Sequence, residues 1–112
     1  MLIYKILSRP EWDAFRADGH TLGAPVDLSD GFIHFSAAPQ LAETAARHFA
    51  DQSDLVLLAF DAGALGADLR WEVSRGGALF PHLYRRLRVA DVVWDKALPL
   101  GATGHIFPEG VL

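Results

Sequence analysis

Three short stretches of this 112-residue chain carry side chains whose types and spacing can do chemistry. In Asp30-Gly31-Phe32-Ile33-His34-Phe35-Ser36, strand alternation puts Phe32, His34 and Ser36 on one face and Ile33 and Phe35 on the other. An imidazole and a hydroxyl two positions apart, just before a helix start, offer one ligand two hydrogen-bonding groups. The plainer alternative makes Ser36 a helix N-cap and His34 a satisfied, half-buried histidine. In Arg70-Trp71-Glu72-Val73-Ser74-Arg75, the same alternation groups Arg70, Glu72 and Ser74. Glu72 then serves cation stabilisation or general-base work while an arginine holds an anion, or Arg70 and Glu72 form only a weak surface charge pair. In Phe80-Pro81-His82-Leu83-Tyr84, proline biases the preceding residue towards extended backbone. His82 and Tyr84 share a face there, to orient a substrate ring or, in the bland reading, to act as a loop donor and an amphipathic rim residue.

Other motif signals in the sequence are weak. His20, His34 and His48 recur every fourteen residues, but no two stand at the helical ligand spacing, so no metal site is expected. No dinucleotide-fingerprint, Walker A or nucleophile-elbow string is present. With no cysteine, disulfides and thiolate chemistry are excluded.

These groups must be positioned by a small scaffold. The length suits one domain spanning residues 1–112, and a hydrophobic share of 51% with 21% charged is a globular composition. Leu2 to Leu7 reads as a first strand. Ser8 and Glu11, with Pro10 between them, form a capping box that opens a helix running to about Asp18 and stopping at Gly19. Trp12 and Phe15 mark its inner face, and the three tryptophans are expected in the core. Residues 19–30 read as loop, because Gly, Pro, Asp and Ser punctuate them. Residues 31–36 read as a strand, and Pro39 to about Phe49 as a helix with Leu41, Thr44, Ala45, His48 and Phe49 on one side. Asp54 to Phe60 is a continuous apolar run that fits a buried central strand. Strands follow at 68–73, 86–89, 92–99 and 105–107, with Leu98-Pro99-Leu100-Gly101 at an edge or strand end. Helices early and strands late imply α+β with a largely antiparallel sheet and two main helices.

Charge narrows the partners. The net charge of −4 argues against a whole-surface nucleic-acid binder. Residues 69–88 nevertheless hold five arginines (Arg70, Arg75, Arg85, Arg86 and Arg88) against the single acid Glu72. That segment is either a phosphate or carboxylate site or a set of arginines lying over apolar surface with their heads in water. The longest apolar run falls far short of a membrane span, and no leader pattern is seen, so a cytoplasmic protein with no membrane partner is expected.

Several ordered motifs also resemble a known family. Ile3-Tyr4-Lys5-Ile6, Asp30 to Ser36, Arg70-Trp71-Glu72, Ser74-Arg75-Gly76-Gly77 and Phe80-Pro81-His82-Leu83-Tyr84 together resemble the small bacterial domain-of-unknown-function family 952, nearly end to end. The resemblance implies an ADP-ribosyltransferase-like fold, a split pair of antiparallel sheets with helices alongside. It further implies that His34 and Ser36 hold NAD, that Arg70, Arg75, His82 and Tyr84 complete a nucleotide site, and that Glu72, with His34, is catalytic. Glu72 lies earlier than that superfamily's usual glutamate, and the only later one is Glu109. The implied activity is ADP-ribosyl transfer or NAD glycohydrolysis. The alternatives are a non-catalytic small-molecule or partner-binding module, or a nucleic-acid end-processing enzyme.

Overall fold

A computed structural model describes residues 1–112, apart from the side chain of Arg75. The chain runs β1 (Leu2–Ser8), α1 (Arg9–Asp18), β2 (His20–Thr21), α2 (Pro25–Asp30), β3 (Ile33–His34), β4 (Ser36–Ala37) and α3 (Ala38–His48). It continues β5 (Leu55–Asp61), α4 (Ala62–Leu65), β6 (Leu69–Val73), β7 (Leu79–Leu83), β8 (Leu87–Arg88), β9 (Val92–Leu98), β10 (Leu100–Gly101) and β11 (Gly104–His105). The main sheet has the order β4-β1-β5-β9, and a smaller one the order β3-β7-β6. The pairings are antiparallel throughout. The α+β class with mainly antiparallel strands is therefore as expected.

The long strands explain the core. β5 lies between β1 and β9, and its residues from Leu55 to Phe60 are all buried. Val56, Leu58 and Phe60 pack with Trp12 and Phe15 of α1, whereas Leu55, Leu57 and Ala59 pack with Leu41 and Ala45 of α3. A strand covered on both faces reads as an unbroken apolar run, which is why its length and composition marked it in the sequence. α1 begins as its sequence dictates. Ser8 Oγ accepts from Glu11 N at 3.2 Å and Glu11 Oε1 accepts from Ser8 N at 2.8 Å. Gly19 ends the helix at φ 81°.

Three expectations need correction. Residues 19–30 are not wholly loop: His20–Thr21 pair with β8, and Pro25–Asp30 form a helix. Pro25 sits in the first turn, and the Asp27 carboxylate accepts from Ala24 N at 2.8 Å, so side chains read as loop punctuation act as helix starters. Residues 31–36 are not one strand. Ile33–His34 pair with β7 in the small sheet, whereas Ser36–Ala37 pair with β1 in the main sheet. The chain changes sheets at buried Phe35, whose N–H donates to Pro81 O at 3.0 Å. The third correction is Trp71, which is 39% exposed and outside the core, unlike Trp12.

That change of sheet creates the site. β4 pairs with only Ile3 and Tyr4 of the seven-residue β1. Beyond Tyr4 the two sheets part, and a cleft opens between β1, α2, α3 and the small sheet.

Candidate functional site

The cleft has a volume of about 680 Å³, within the range of small-molecule sites. His34, Ser36 and His82 all line it, together with Lys5, Asp27 and Asp30. Antiparallel register puts His34 directly opposite His82, so their side chains share a face of the small sheet. The two rings meet edge to face with centroids 5.2 Å apart. Phe32, two residues before His34, stacks on His82 at 4.2 Å.

His82 is 3% exposed, and its Nδ1 lies 2.9 Å from Glu72 Oε1. Its Nε2 is buried without a hydrogen-bond partner. A carboxylate beside Nδ1 favours the proton on that nitrogen, so in the neutral ring Nε2 is the lone-pair acceptor. The same Glu72 oxygen accepts from Tyr84 Oη at 2.6 Å. The Tyr84 and His82 hydrogen bonds hold the Glu72 carboxyl below its ordinary range, and the Glu72 hydrogen bond pushes the Tyr84 phenol up.

His34 is held differently. Its Nδ1 lies 2.7 Å from Asp27 Oδ1 and its Nε2 lies 3.0 Å from Asp30 Oδ2. Satisfying both carboxylates at once requires a proton on each ring nitrogen. Asp27 is the hub of the cleft. It is 1% exposed and accepts from Lys5 Nζ at 2.7 Å, from Ala24 N at 2.8 Å and from His34 N at 3.0 Å, besides its contact with the ring. Burial alone would raise its pKa, but the His34 hydrogen bond and the Lys5 charge outweigh that and bring it down to about 2. Lys5, 7% exposed, also donates to His34 O at 2.9 Å. Gly23 completes the arrangement: at φ 103° a Cβ there would lie 2.7 Å from Asp27 Cγ, so only glycine admits this carboxylate.

The remaining expected residues are placed as follows. Ser36 lines the cleft and does not cap α3: its Oγ is 2.8 Å from Thr44 Oγ1, while Gln40 Oε1 accepts from Ala37 N at 3.0 Å. Tyr84 lines a separate hollow of about 210 Å³ on the other side of Asp27, alongside Phe32 and Arg85. Glu72 lines neither space and reaches the cleft only through His82. Arg70 lies over the Tyr84 ring at 4.7 Å and outside the cleft lining. The side chain of Arg75 falls outside what the structure describes. Two of the other arginines of the segment are engaged by one carboxylate: Arg85 Nη1 lies 3.1 Å and Arg88 Nη2 3.6 Å from Asp91. The Asp91 carboxyl is kept low by these partners against the opposing effect of its burial.

Sequence reasoning missed Lys5, Asp27 and Asp30. A usable signal existed in Leu2-Ile3-Tyr4-Lys5-Ile6-Leu7, where a single charge sits in a strand with both faces apolar. A lysine there needs a buried acid. Asp27, two residues after Pro25, was the acid to find.

Among curated proteins, no relative is found. Solved structures give strong matches. The crystal structure of protein CC0527 from Caulobacter crescentus is 59% identical, covers 94% of this chain and 92% of its own, and superposes with a TM-score of 0.90. The solution NMR structure of CC0527 is 60% identical over 93% of this chain and 90% of its own, with a TM-score of 0.84. The sequence pattern of the family described as Protein of unknown function (DUF952) matches residues 6–95. That match spans most of the chain, including Asp27, His34, Glu72, His82 and Tyr84, so the protein belongs to the DUF952 family.

Proposed function

We propose that the cleft binds an N-ribosyl ligand of the NAD type and that the protein hydrolyses its N-glycosidic bond, with transfer to a hydroxyl acceptor as the variant reaction. The observation that carries this reading is His82, which lines a cleft of small-ligand size, is oriented by Glu72, and keeps a buried Nε2 with no hydrogen-bond partner. In the ligand-bound form that opens this nitrogen to the cleft, it takes a proton from a bound water. The water oxygen bonds to the ribose anomeric carbon, and the electron pair of the breaking carbon–nitrogen bond stays with nicotinamide, which leaves neutral. The remaining hydroxyl stays on ADP-ribose, and the imidazolium gives its proton back to solvent. Ser36 and the His34–Asp30 pair hold the ribose hydroxyls beside this base. Glu72 is a positioning residue here, acting through His82.

The test is an amide-shift titration with NAD, paired with chromatography of released nicotinamide. The reading expects shifts at 31–36 and 79–84 together with nicotinamide release, both lost in His82→Ala and in His34→Ala with the fold intact. No shifts at millimolar NAD would overturn it. A second reading, a non-catalytic small-molecule site, is favoured by the apolar lining from Tyr4, Ile6, Phe35, Leu41, Phe49 and Phe80. Its signature is the same shifts without product. Nucleic-acid end processing finds no such support, because Arg85 and Arg88 are engaged by Asp91.

A further inference from the structure

The small sheet has the order β3-β7-β6, so β6 pairs with β7 on one side and leaves the other as a free edge. Ser74 N donates to Ala78 O at 2.9 Å, and Tyr84 N donates to Asp68 O at 2.9 Å. These bonds bracket the ladder, and antiparallel alternation between them points the backbone groups of Arg70 and Glu72 towards β7. The N–H and C=O groups of Trp71 and Val73 therefore face outwards, and no hydrogen bond engages them among the described residues. The outward N–H of Leu69 is taken by Gly66 O, which leaves its carbonyl. Natural edges are often blunted by proline, lysine or a bulge, and Leu69–Val73 contains none of these. It carries an exposed apolar row instead: Trp71 is 39% exposed, Val73 70%, and Leu79, opposite Val73 on β7, 51%.

From this edge we infer that the protein forms a twofold dimer in which β6 pairs antiparallel with β6 of a second copy, centred on Trp71. Charge selects both the partner and the register. About that centre Arg70 faces Glu72 of the partner subunit, and Glu72 faces the partner's Arg70, as twofold symmetry requires. On the other surface of the joined sheet Trp71 meets the partner's Trp71, and Val73 meets the partner's Leu69. Trp71 exchanges backbone bonds with its own copy, and Val73 N donates to the partner's Leu69 O. Each Arg70–Glu72 pair then occupies the close, non-hydrogen-bonded position, where side chains interact most strongly. A centre on Arg70 sets Arg70 against Arg70 and Glu72 against Asp68, and a centre on Glu72 sets Glu72 against Glu72. Both charged groups can take part. Arg70 lies over the Tyr84 ring and makes no ion pair among the described residues. Glu72 uses Oε1 for Tyr84 and His82, and its Oε2 has no partner among the described residues. One short strand per copy buries less than the ~1,200 Å² of a standard interface, so the dimer is a weak one.

The experiment is sedimentation equilibrium from about 10 µM to about 1 mM, with amide hydrogen exchange at both ends of that range. The expected result is a monomer–dimer equilibrium with a dissociation constant on the order of 100 µM. The Trp71 and Val73 amides should become protected as concentration rises. Arg70→Glu sets a carboxylate against the partner's Glu72 in both halves of the joint and should weaken the dimer by about tenfold or more. Val73→Pro removes an outward N–H without touching the ladder to β7, and should leave a monomer over the same range. Both positions are exposed, and amide spectra report the fold of each variant. Arg70→Glu keeps the test decisive if the proline disturbs the strand. A monomer at every concentration overturns the proposal and leaves the edge to an extended segment of another protein. A dimer that survives both substitutions, or that protects other amides instead, overturns it in favour of a different face. A dimer lost in Val73→Pro but unchanged in Arg70→Glu overturns the register centred on Trp71.

Discussion

The Lys5–Asp27 pair gives the sharpest test of how this cleft is built, because it joins β1, α2 and β3 through one carboxylate. Asp27→Asn keeps the shape and removes the charge. Lys5, 7% exposed, is then left as a buried ammonium with His34 O as its remaining acceptor. Removing one member of a buried pair costs about 3 kcal/mol or more, a large part of the ~5–15 kcal/mol that holds a domain together. With a urea slope on the order of 1.5 kcal/mol per molar, the unfolding midpoint should fall by about 2 M. Lys5→Met should show a loss of similar size, and the double variant should lose less than the two together by at least about 1 kcal/mol, because the uncompensated charge is gone. Acid unfolding gives an independent reading. The Asp27 carboxyl sits at about 2 in the folded protein against an ordinary value of 3.8. A lowered folded pKa stabilises the native state above the unfolded value, and that contribution is lost as pH falls through about 2. The shift corresponds to about 2 kcal/mol, so the stability gap between wild type and Asp27→Asn should shrink by that amount from pH 5 to roughly pH 2. Strict additivity of the two substitutions, or a gap that does not change with pH, would refute the reasoning.

Three further outcomes follow from the geometry. Glu72→Gln should bring the Tyr84 phenol back down towards its ordinary range, visible as tyrosinate absorbance rising at lower pH, and should cut any nicotinamide release by about 100-fold through loss of His82 orientation. Gly23→Ala should destabilise the fold by more than about 1 kcal/mol, because the new Cβ is strained at φ 103° and collides with Asp27; loss of the His34 shift pattern in amide spectra would show that the carboxylate has moved. Ser8→Ala should cost about 1 kcal/mol by removing half of the capping box, read as a drop of about 4 °C in the thermal midpoint.

The parts whose causes are local are legible along the chain. The Ser8–Glu11 box and Gly19 bound α1, the unbroken run at 55–60 became the central strand, and alternation put His82 and Tyr84 on one face. Each rests on a side chain acting within a few residues of itself, or on a period visible along one strand. The histidines, the serine and the glutamate of the candidate site are legible there too. How those groups divide depends on contacts between distant parts of the chain. A strand that changes sheets at Phe35 is invisible to a period of two, because alternation continues while the hydrogen-bonding partner changes from β7 to β1. That change opened the cleft and left Glu72 behind His82. The Lys5–Asp27 contact spans 22 positions and joins a strand to what the local pattern presented as a loop. Local propensity carries no information about such a pairing, yet burying either charge without the other is too unfavourable for the fold to tolerate. The arginines show the same division from the opposite side: their clustering suggested an anion site, and Asp91, brought beside Arg85 and Arg88 by the turn into β9, took two of them instead.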